Sequence, residues 1–161
     1  MEIDIEKVWK ILEEVKDPEI PVLSLVDLGV ITKVENQNQN LYIEITPTFV
    51  GCPALDFMKQ EVEEKLNQHG FIKHEVKVSF EKPWNSDKIS EKGKQALKQF
   101  GLAPPIPAEL FTDISVLEHV ICPRCNNNNT ELKNPFGPTL CRSIHYCNDC
   151  KEAFEQFKPL Q

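Results

Sequence analysis

Two cysteine pairs near the C-terminal end restrict the possible folds of this chain more than any other feature. They are CPRC at residues 122–125 and CNDC at residues 147–150, separated by 21 residues. A tight C-x2-C turn places two sulfurs within reach of one ion, and two such turns complete a tetrahedral thiolate shell. The separation lies just beyond the roughly 15–20 residues usual in zinc ribbons. The pattern predicts a closed metal site that leaves no open position for catalysis. The module that contains this site would therefore have a stabilising or docking role.

The predicted metal ligands are Cys122, Cys125, Cys147 and Cys150. Zinc is the default ion, although four thiolates also suit an iron–sulfur cluster. Cys141 is a fifth thiol in the same segment, and it could replace one of the four ligands or stay free. His145 is a further possible ligand, but a histidine within a strand more often packs or faces solvent.

The sixth cysteine stands alone in TPTFVGCP, residues 46–53. Proline is favoured at the first position of a helix, so Pro53 predicts that Cys52 is the N-cap. Backbone N–H groups and the helix dipole would then favour the thiolate, which binds metals and acts as a nucleophile. The alternative is a small buried residue that closes a strand–helix turn. The local sequence leaves both interpretations open.

Hydrophobic periodicity predicts an α/β domain in the first half of the chain. Apolar residues recur at helical spacing or alternate as in strands, and the polar stretch NQNQN is typical of a hairpin turn. The resulting order α-β-β-α-β predicts a two-layer fold. The predicted elements are a helix at 4–16, strands at 23–35 and 41–46, a helix at 53–68 and a strand at 74–80.

The pattern changes after residue 80. We predict an α/β domain at 1–80, a linker at 81–118 and a four-cysteine ribbon at 119–161. The linker would contain a short helix at 89–101 and the stiff stretch APPIP, which cannot continue a helix. Within the ribbon, residues 131–133 and 142–146 would form strands, with NPFGP as the loop between them.

Charge and hydropathy exclude several classes of protein. Residues 1–80 hold 15 acidic and 8 basic residues, and residues 81–161 hold 10 of each, so nucleic acid is not an expected partner. The N-terminal sequence lacks the basic start and apolar stretch of a signal peptide. No apolar run approaches the roughly 18 residues of a membrane span. A cytoplasmic location is expected, where paired cysteines more often bind metal than form disulfides.

Several motifs resemble a known family. DPEIP, LVDLGVI and TPTFVGCP, in this order, closely resemble the SufT-like domain associated with iron–sulfur cluster assembly. The later stretches ISEKGKQALKQFGLAPP and FGPTLCRSIHYCNDCKEAFEQFK are similar to the PaaD (or PaaJ) component of phenylacetyl-CoA epoxidase. The resemblance covers nearly the entire chain.

The resemblance implies an accessory, non-catalytic role in aerobic phenylacetate degradation. The implied partners are the other subunits of the ring-epoxidising oxygenase and its iron–sulfur reductase, with a homodimer also possible. Cys52 would be the functional thiol, holding an iron–sulfur cluster or iron transiently, with Asp17, Glu19 and Asp27 nearby. One alternative is a structural subunit that carries no cluster. Another is a thiol enzyme acting on an acyl-CoA, which requires a histidine beside Cys52.

Three positions depart from the family pattern. Val50 stands where a small hydroxyl residue is expected, so a hydrogen bond near the thiol would be missing. Lys88 replaces a tryptophan that would anchor the predicted linker helix. Pro138 replaces a serine in a loop that should tolerate the change.

Overall fold

The computed structural model describes residues 2–49, 51–110 and 113–159. It divides into two compact units, Met1–Trp84 and Asn85–Gln161. The first unit mixes helices and strands, as predicted for an α/β fold. Its elements are α1 (Ile5–Leu12), α2 (Leu25–Leu28), β1 (Ile31–Gln37), β2 (Asn40–Ile45), α3 (Leu55–Gln68) and β3 (His74–Val78).

The hairpin predicted around NQNQN is confirmed. Strands β1 and β2 pair antiparallel, and the last register pair is Gln37 with Asn40. Asn38 and Gln39, between them, both have positive φ angles of 52° and 65°. Positive φ at both central residues is the requirement of a type I′ turn, whose twist matches that of the flanking strands.

Helix α3 connects β2 to β3, which pair in parallel and complete a three-stranded sheet of order β1-β2-β3. Helix α1 packs against α3 and β1, and α3 packs against β3. One apolar face of each helix is buried, as the helical spacing predicts. The residues that fill this core include Val8, Leu12, Leu41, Ile43, Ile45, Met58, Val62 and Leu66.

The strand predicted at 23–35 is wrong in its first half. Residues Leu25–Leu28 form the short helix α2, and the strand begins only at Ile31. The Ser24 hydroxyl accepts a hydrogen bond from the Asp27 N–H at 3.0 Å. Gly29 ends the helix with a φ of 77°. Because a serine cap and a glycine C-cap satisfy the terminal backbone groups, this short segment forms a helical turn.

Trp84 closes the first unit. Its ring is 2% exposed, and its indole Nε1–H donates a hydrogen bond to the Leu28 carbonyl oxygen at 2.9 Å. A buried indole usually finds such an acceptor. This hydrogen bond therefore holds the KPW stretch, where the apolar–polar alternation of the sequence ends, against the end of α2.

The second unit is built around a four-stranded sheet, and its neighbouring strands are, in order, Leu102–Ala103, Ala153–Phe157, Arg142–Cys147 and Thr130–Asn134. The predicted ribbon strands are present, and a third strand follows them. Short 3₁₀ turns lie at Ser86–Lys88, Ala108–Leu110 and Ile114–Leu117. The remaining elements are α4 (Glu91–Phe100), β4 (Leu102–Ala103), β5 (Thr130–Asn134), β6 (Arg142–Cys147) and β7 (Ala153–Phe157).

The segment predicted as a linker contributes to this sheet. Leu102 and Ala103 pair in parallel with Glu155 and Gln156 of β7. Both β4 residues are almost fully buried. Ser90 and Gly101 cap α4, close to the predicted bounds of that helix. Residues 102–103 are therefore part of a folded layer and not only a connection.

None of the helices in the described ranges is both long and apolar enough to cross a membrane.

Of the three departures from the family pattern, Lys88 ends the first 3₁₀ turn. Pro138 lies in the loop between β5 and β6. Val50 lies outside the described residues.

Candidate metal centre and the Cys52 region

The four cysteines of the two C-x2-C pairs converge on one point, with all four sulfurs within 4.8 Å of one another. The sulfurs of Cys122 and Cys150 are 3.8 Å apart, and those of Cys125 and Cys147 are 3.5 Å apart. A tetrahedral ion with metal–sulfur bonds of about 2.3 Å holds its sulfurs roughly 3.8 Å apart. The spacing and the chemistry of these donors fit a metal ion, and this group binds metal.

The two cysteine turns have the same backbone structure. In each, the N–H one residue beyond the second cysteine donates to the carbonyl of the first: Asn126 to Cys122 at 2.9 Å, and Lys151 to Cys147 at 3.0 Å. Asn126 and Lys151 have nearly equal positive φ angles of 62° and 61°. Asparagine is enriched in this conformation, but lysine is not. The residue type therefore predicts the positive φ angle at Asn126 but not at Lys151.

The sulfurs of the group differ in acidity. The pKa of Cys147 is lowered to about 7, mainly because the Cys150 N–H donates to its sulfur, with a further N–H from Asp149. Burial and proton sharing with Cys147 and Cys122 raise the pKa of Cys150 to about 12. Four adjacent thiolates repel one another, so without a cation the group retains protons. A metal ion would displace those protons and be favoured by rising pH.

Buried apolar residues surround the cysteine group, and His145 belongs to this packing and not to the ligand set. Cys122 and Cys147 are fully buried against a small cluster that contains Val120 and Phe154. The His145 ring stacks on Phe154 with centroids 5.2 Å apart. Burial lowers the pKa of His145 to about 4. The histidine is therefore neutral in the folded protein at neutral pH.

Cys141 lies outside the sulfur group. Its thiol is 7% exposed and lies 3.0 Å from the Thr139 hydroxyl oxygen. Within the part of the chain that the structure describes, the metal-binding group consists of the four paired cysteines. The geometry thus places Cys141 apart from the four sulfurs.

Cys52 is not the N-cap that Pro53 predicts. Helix α3 begins at Leu55, and Ala54 occupies the cap position without a side-chain hydrogen bond. The Cys52 carbonyl accepts from the Leu55 N–H at 3.2 Å. Residues 53 and 54 form a turn before the helix, so Cys52 lies two residues before the N-cap.

The expectation of a stabilised Cys52 thiolate is also wrong. Burial raises the pKa of this half-buried thiol, and the negative charges of Glu19 and Asp17 raise it further. The Ala54 N–H donates to the sulfur and offsets part of this effect. The thiol form therefore predominates at neutral pH, because both the apolar surroundings and the nearby carboxylates oppose a second negative charge.

The structure brings two of the three predicted carboxylates into electrostatic range of Cys52. Asp17 is held in the DPEIP turn, where its Oδ1 accepts from the N–H groups of Glu19 at 2.8 Å and Ile20 at 2.9 Å. Asp27 is placed by α2, and its Oδ2 accepts from the Ser24 hydroxyl at 3.0 Å. Hydrogen bonds within the turn thus fix the Asp17 side chain, and the capping of α2 fixes Asp27. The negative charge of Asp17 also raises the pKa of the Cys52 thiol.

Within the described part of the first unit, neither of the two histidines forms a hydrogen bond with the Cys52 thiol. His74 directs Nδ1 to the Phe71 carbonyl at 2.7 Å, and His69 lies 4.0 Å from Glu14. A nucleophilic cysteine needs an adjacent base or a lowered thiol pKa. The pKa of the Cys52 thiol is instead raised. The geometry therefore does not support the acyl-CoA thiol enzyme.

Comparison with known proteins identifies the family. The chain is 31% identical over 154 residues to an Escherichia coli protein provisionally named as the D component of 1,2-phenylacetyl-CoA epoxidase, covering 96% of this chain and 92% of that one. The chain belongs to the PaaD family. Residues 108–158 of this PaaD-family chain match the family described as PaaD zinc beta ribbon domain, and residues 5–79 match iron–sulfur cluster assembly proteins. The resemblance stated from the motifs is confirmed.

Two further similarities concern the first part of this PaaD-family chain. A Porphyromonas gingivalis protein named Fe-S protein maturation auxiliary factor is 35% identical over 88 residues, covering 53% of this chain and 83% of that one. The crystal structure of a domain of unknown function, DUF59, from Bacillus anthracis superposes with a TM-score of 0.53 at 32% identity. It covers 58% of this chain and 90% of that one. The similarity to the maturation factor, together with the match of residues 5–79, supports an accessory role in iron–sulfur assembly. The similarity to the crystal structure supports the fold.

Proposed function

We propose that this protein is a non-catalytic maturation subunit of a phenylacetyl-CoA ring-epoxidising oxygenase and assists iron–sulfur cluster or iron assembly in its partner subunits. The observation that carries the proposal is the similarity of nearly the whole chain to the E. coli epoxidase component. The match of residues 5–79 to iron–sulfur cluster assembly proteins adds the type of chemistry. The oxygenase acts in phenylacetate degradation, and the proposed location is the cytoplasm.

In this proposal Cys52 holds the cluster or iron as cargo. Burial and the negative charges of Glu19 and Asp17 raise the pKa of the thiol. The same charges attract an iron cation, which replaces the thiol proton when it binds. Because the raised pKa makes the proton compete with iron for this single sulfur, the apparent affinity is low and the cargo stays transferable. Asp27 belongs to the proposed site as a neighbour on the LVDLG motif.

A single thiol does not fill the coordination shell of an iron ion or cluster. In the described part of the chain, Cys52 and its neighbouring carboxylates do not form a group of three convergent donors. The remaining ligands come from a client protein or from a second copy of this chain. We propose the other oxygenase subunits and the iron–sulfur reductase as clients.

The four-cysteine group holds a structural zinc ion in this proposal. Zinc prefers four tetrahedral thiolates in closed structural sites. The sulfur–sulfur distances of 3.5 and 3.8 Å fit that shell. The zinc stabilises residues 119–161 as a docking module, and the segment 81–118 joins this module to the α/β domain at 1–80.

The test is the metal content of the clients. We would co-express the oxygenase subunits and reductase with wild-type protein or with Cys52→Ser, purify them anaerobically, and measure iron and acid-labile sulfide in each client. We expect iron and sulfide in at least one client to fall severalfold with Cys52→Ser. Zinc in the variant itself should be unchanged.

Cys141→Ser is the matched control, because Cys141 is also outside the four-cysteine group. It should leave client iron at the wild-type level. The alternative function, an interaction subunit that carries no cluster, predicts stable co-purification with the oxygenase and equal client iron for both variants. Equal client iron for both variants would show that Cys52 takes no part in delivering iron or clusters to the clients.

A further inference from the structure

Pro53 directly follows the proposed cargo thiol, and the proposed function does not use it. The expectation that this proline begins helix α3 is wrong, because the helix begins at Leu55. Proline has a second preferred place, the second residue of a type I turn, where its fixed φ angle matches the backbone. Pro53 occupies this place in the turn formed by residues 52–55.

The backbone of residues 52–55 has the geometry of a type I turn. The Leu55 N–H donates to the Cys52 carbonyl at 3.2 Å, which is the hydrogen bond that closes such a turn. Ala54, the third residue, has a φ of −86° and a ψ of −1°. The ideal angles at this position are about −90° and 0°. The turn is therefore regular, and the proline ring fixes φ at its second residue.

This turn brings a hydrogen-bond donor to the thiol. The Ala54 N–H donates to the Cys52 sulfur, in the way that a side chain at the start of a turn often accepts from the N–H two residues later. Among the described groups that act on the thiol, this N–H is the one that favours the thiolate, whereas burial and the charges of Glu19 and Asp17 oppose it. A hydrogen bond to the charged form stabilises that form.

We infer that Pro53 is a positioning residue for the cargo thiol: it presets the turn that directs the Ala54 N–H at the Cys52 sulfur. The inference rests on the proposed function of Cys52 as the carrier of iron or a cluster. Iron binds this sulfur as the thiolate. A donor that is already in place stabilises the bound state without an ordering cost when iron arrives. The rigid turn thus offsets part of the competition from the proton and strengthens cargo binding.

The pH dependence of the thiol tests this inference in the full-length, zinc-loaded protein without any client. We would follow the alkylation of Cys52 by iodoacetamide with mass spectrometry of its peptide. Pro53→Gly releases the fixed φ angle and should raise the pH of half-maximal alkylation by roughly half a unit to one unit. The alkylation rate at neutral pH should fall by about three- to tenfold, because less thiolate is present.

Two variants serve as controls. Pro53→Ala allows the turn without fixing φ, so its shift should be smaller than that of Pro53→Gly. Pro83→Gly changes an exposed proline of the same unit and should leave the alkylation profile unchanged. A dispersed ¹H–¹⁵N NMR spectrum establishes that each variant is folded.

A second measurement reports on the hydrogen bond itself. Because the donor senses the charge on the sulfur, the amide signal of Ala54 should shift with pH at the same midpoint as the alkylation rate. Cys52→Ser should abolish this titration, and Pro53→Gly should reduce its amplitude. A proline with a merely structural role would change the stability of the unit and leave the titration in place.

An unchanged or lowered alkylation midpoint in folded Pro53→Gly would overturn the inference, as would an Ala54 signal that does not follow the titration of the thiol. An equal rise in Pro83→Gly would also overturn it, because the effect would then come from a general loosening of the unit. The proposed function is tested separately by client iron. Client iron can fall with Cys52→Ser while Pro53→Gly leaves the thiol unchanged, so the two failures are distinguishable.

Discussion

The protonation state of Cys52 is a property of a single residue and can be tested by its reactivity. Burial and the charges of Glu19 and Asp17 raise the pKa of the thiol. Because only the thiolate reacts with iodoacetamide, alkylation at pH 7 should be slower than for a free cysteine. The pH at half-maximal rate should lie above that of the free amino acid, as followed by mass spectrometry of the Cys52 peptide.

Neutralising one neighbour separates the charge effect from burial. Glu19→Gln should lower the pH at half-maximal alkylation and increase the rate at pH 7. Glu14→Gln, which removes a carboxylate that pairs with Lys65, is the control and should leave the profile unchanged. If Glu19→Gln behaved like Glu14→Gln, the carboxylate would not act on the thiol.

The buried indole of Trp84 gives a second prediction at the same scale. Trp84→Phe removes the donor to the Leu28 carbonyl and leaves a space in the core. The free energy of unfolding of the first unit should fall by roughly 2–4 kcal/mol. Urea unfolding followed by circular dichroism measures this change. Trp9→Phe, at a half-buried position on α1, should cost less than half as much, and equal losses would contradict the role of the hydrogen bond.

At the scale of elements, the Ser24 cap explains why α2 replaces the start of a predicted strand. Its hydroxyl accepts from the Asp27 N–H and donates to the Asp27 carboxylate. Ser24→Ala should lower the stability of the first unit by about 1 kcal/mol. Amide hydrogen exchange should then become faster at Asp27 and Leu28.

The corresponding cap in the second unit is Ser90, whose hydroxyl accepts from the Gly93 N–H at 2.9 Å. Ser90→Ala is therefore the matched control, and it should speed amide exchange in α4 while leaving α2 unchanged. Unchanged exchange at Asp27 in Ser24→Ala would show that the cap is not what holds this turn.

At the scale of the whole molecule, the two units should respond differently to loss of metal. Cys122 and Cys147 belong to the small buried cluster of the second unit, and Cys125 and Cys150 pack against it. Because metal removal breaks the bonds that join the two cysteine turns and this cluster is small, a chelator under reducing conditions should unfold β5, β6 and β7. The NMR signals of residues 5–78 should be unchanged, since that unit has its own core.

Two serine variants check that the effect comes from the proposed ligands. Cys125→Ser should reduce bound metal from about one ion per chain to a small fraction. Cys141→Ser should retain the metal, because Cys141 lies outside the four-sulfur group. A folded second unit after complete metal removal would contradict a stabilising role for the ion.

Features that depend on local spacing were predictable. The C-x2-C pairs predict the four sulfurs that converge, because a tight turn fixes the distance within each pair. The polar stretch between two alternating segments predicts the hairpin, and helical periodicity predicts the buried face of α3. The boundaries were less predictable: α3 begins at Leu55, because the turn at Pro53 and Ala54 precedes the helix.

The sequence by itself determined the hairpin, the helices α1, α3 and α4, the convergence of the four paired cysteines and the family, since these depend on residue types at short separations. Only the tertiary structure decided the environment of Cys52, where Glu19 and Asp17 arrive from a turn more than 30 positions earlier in the chain. It also decided that Leu102 and Ala103 join a sheet and that Gln156 keeps a buried acceptor. The pKa of Cys52, the pairing of β4 with β7 and the burial of Gln156 depend on neighbours that are distant in sequence, and local spacing does not specify those neighbours.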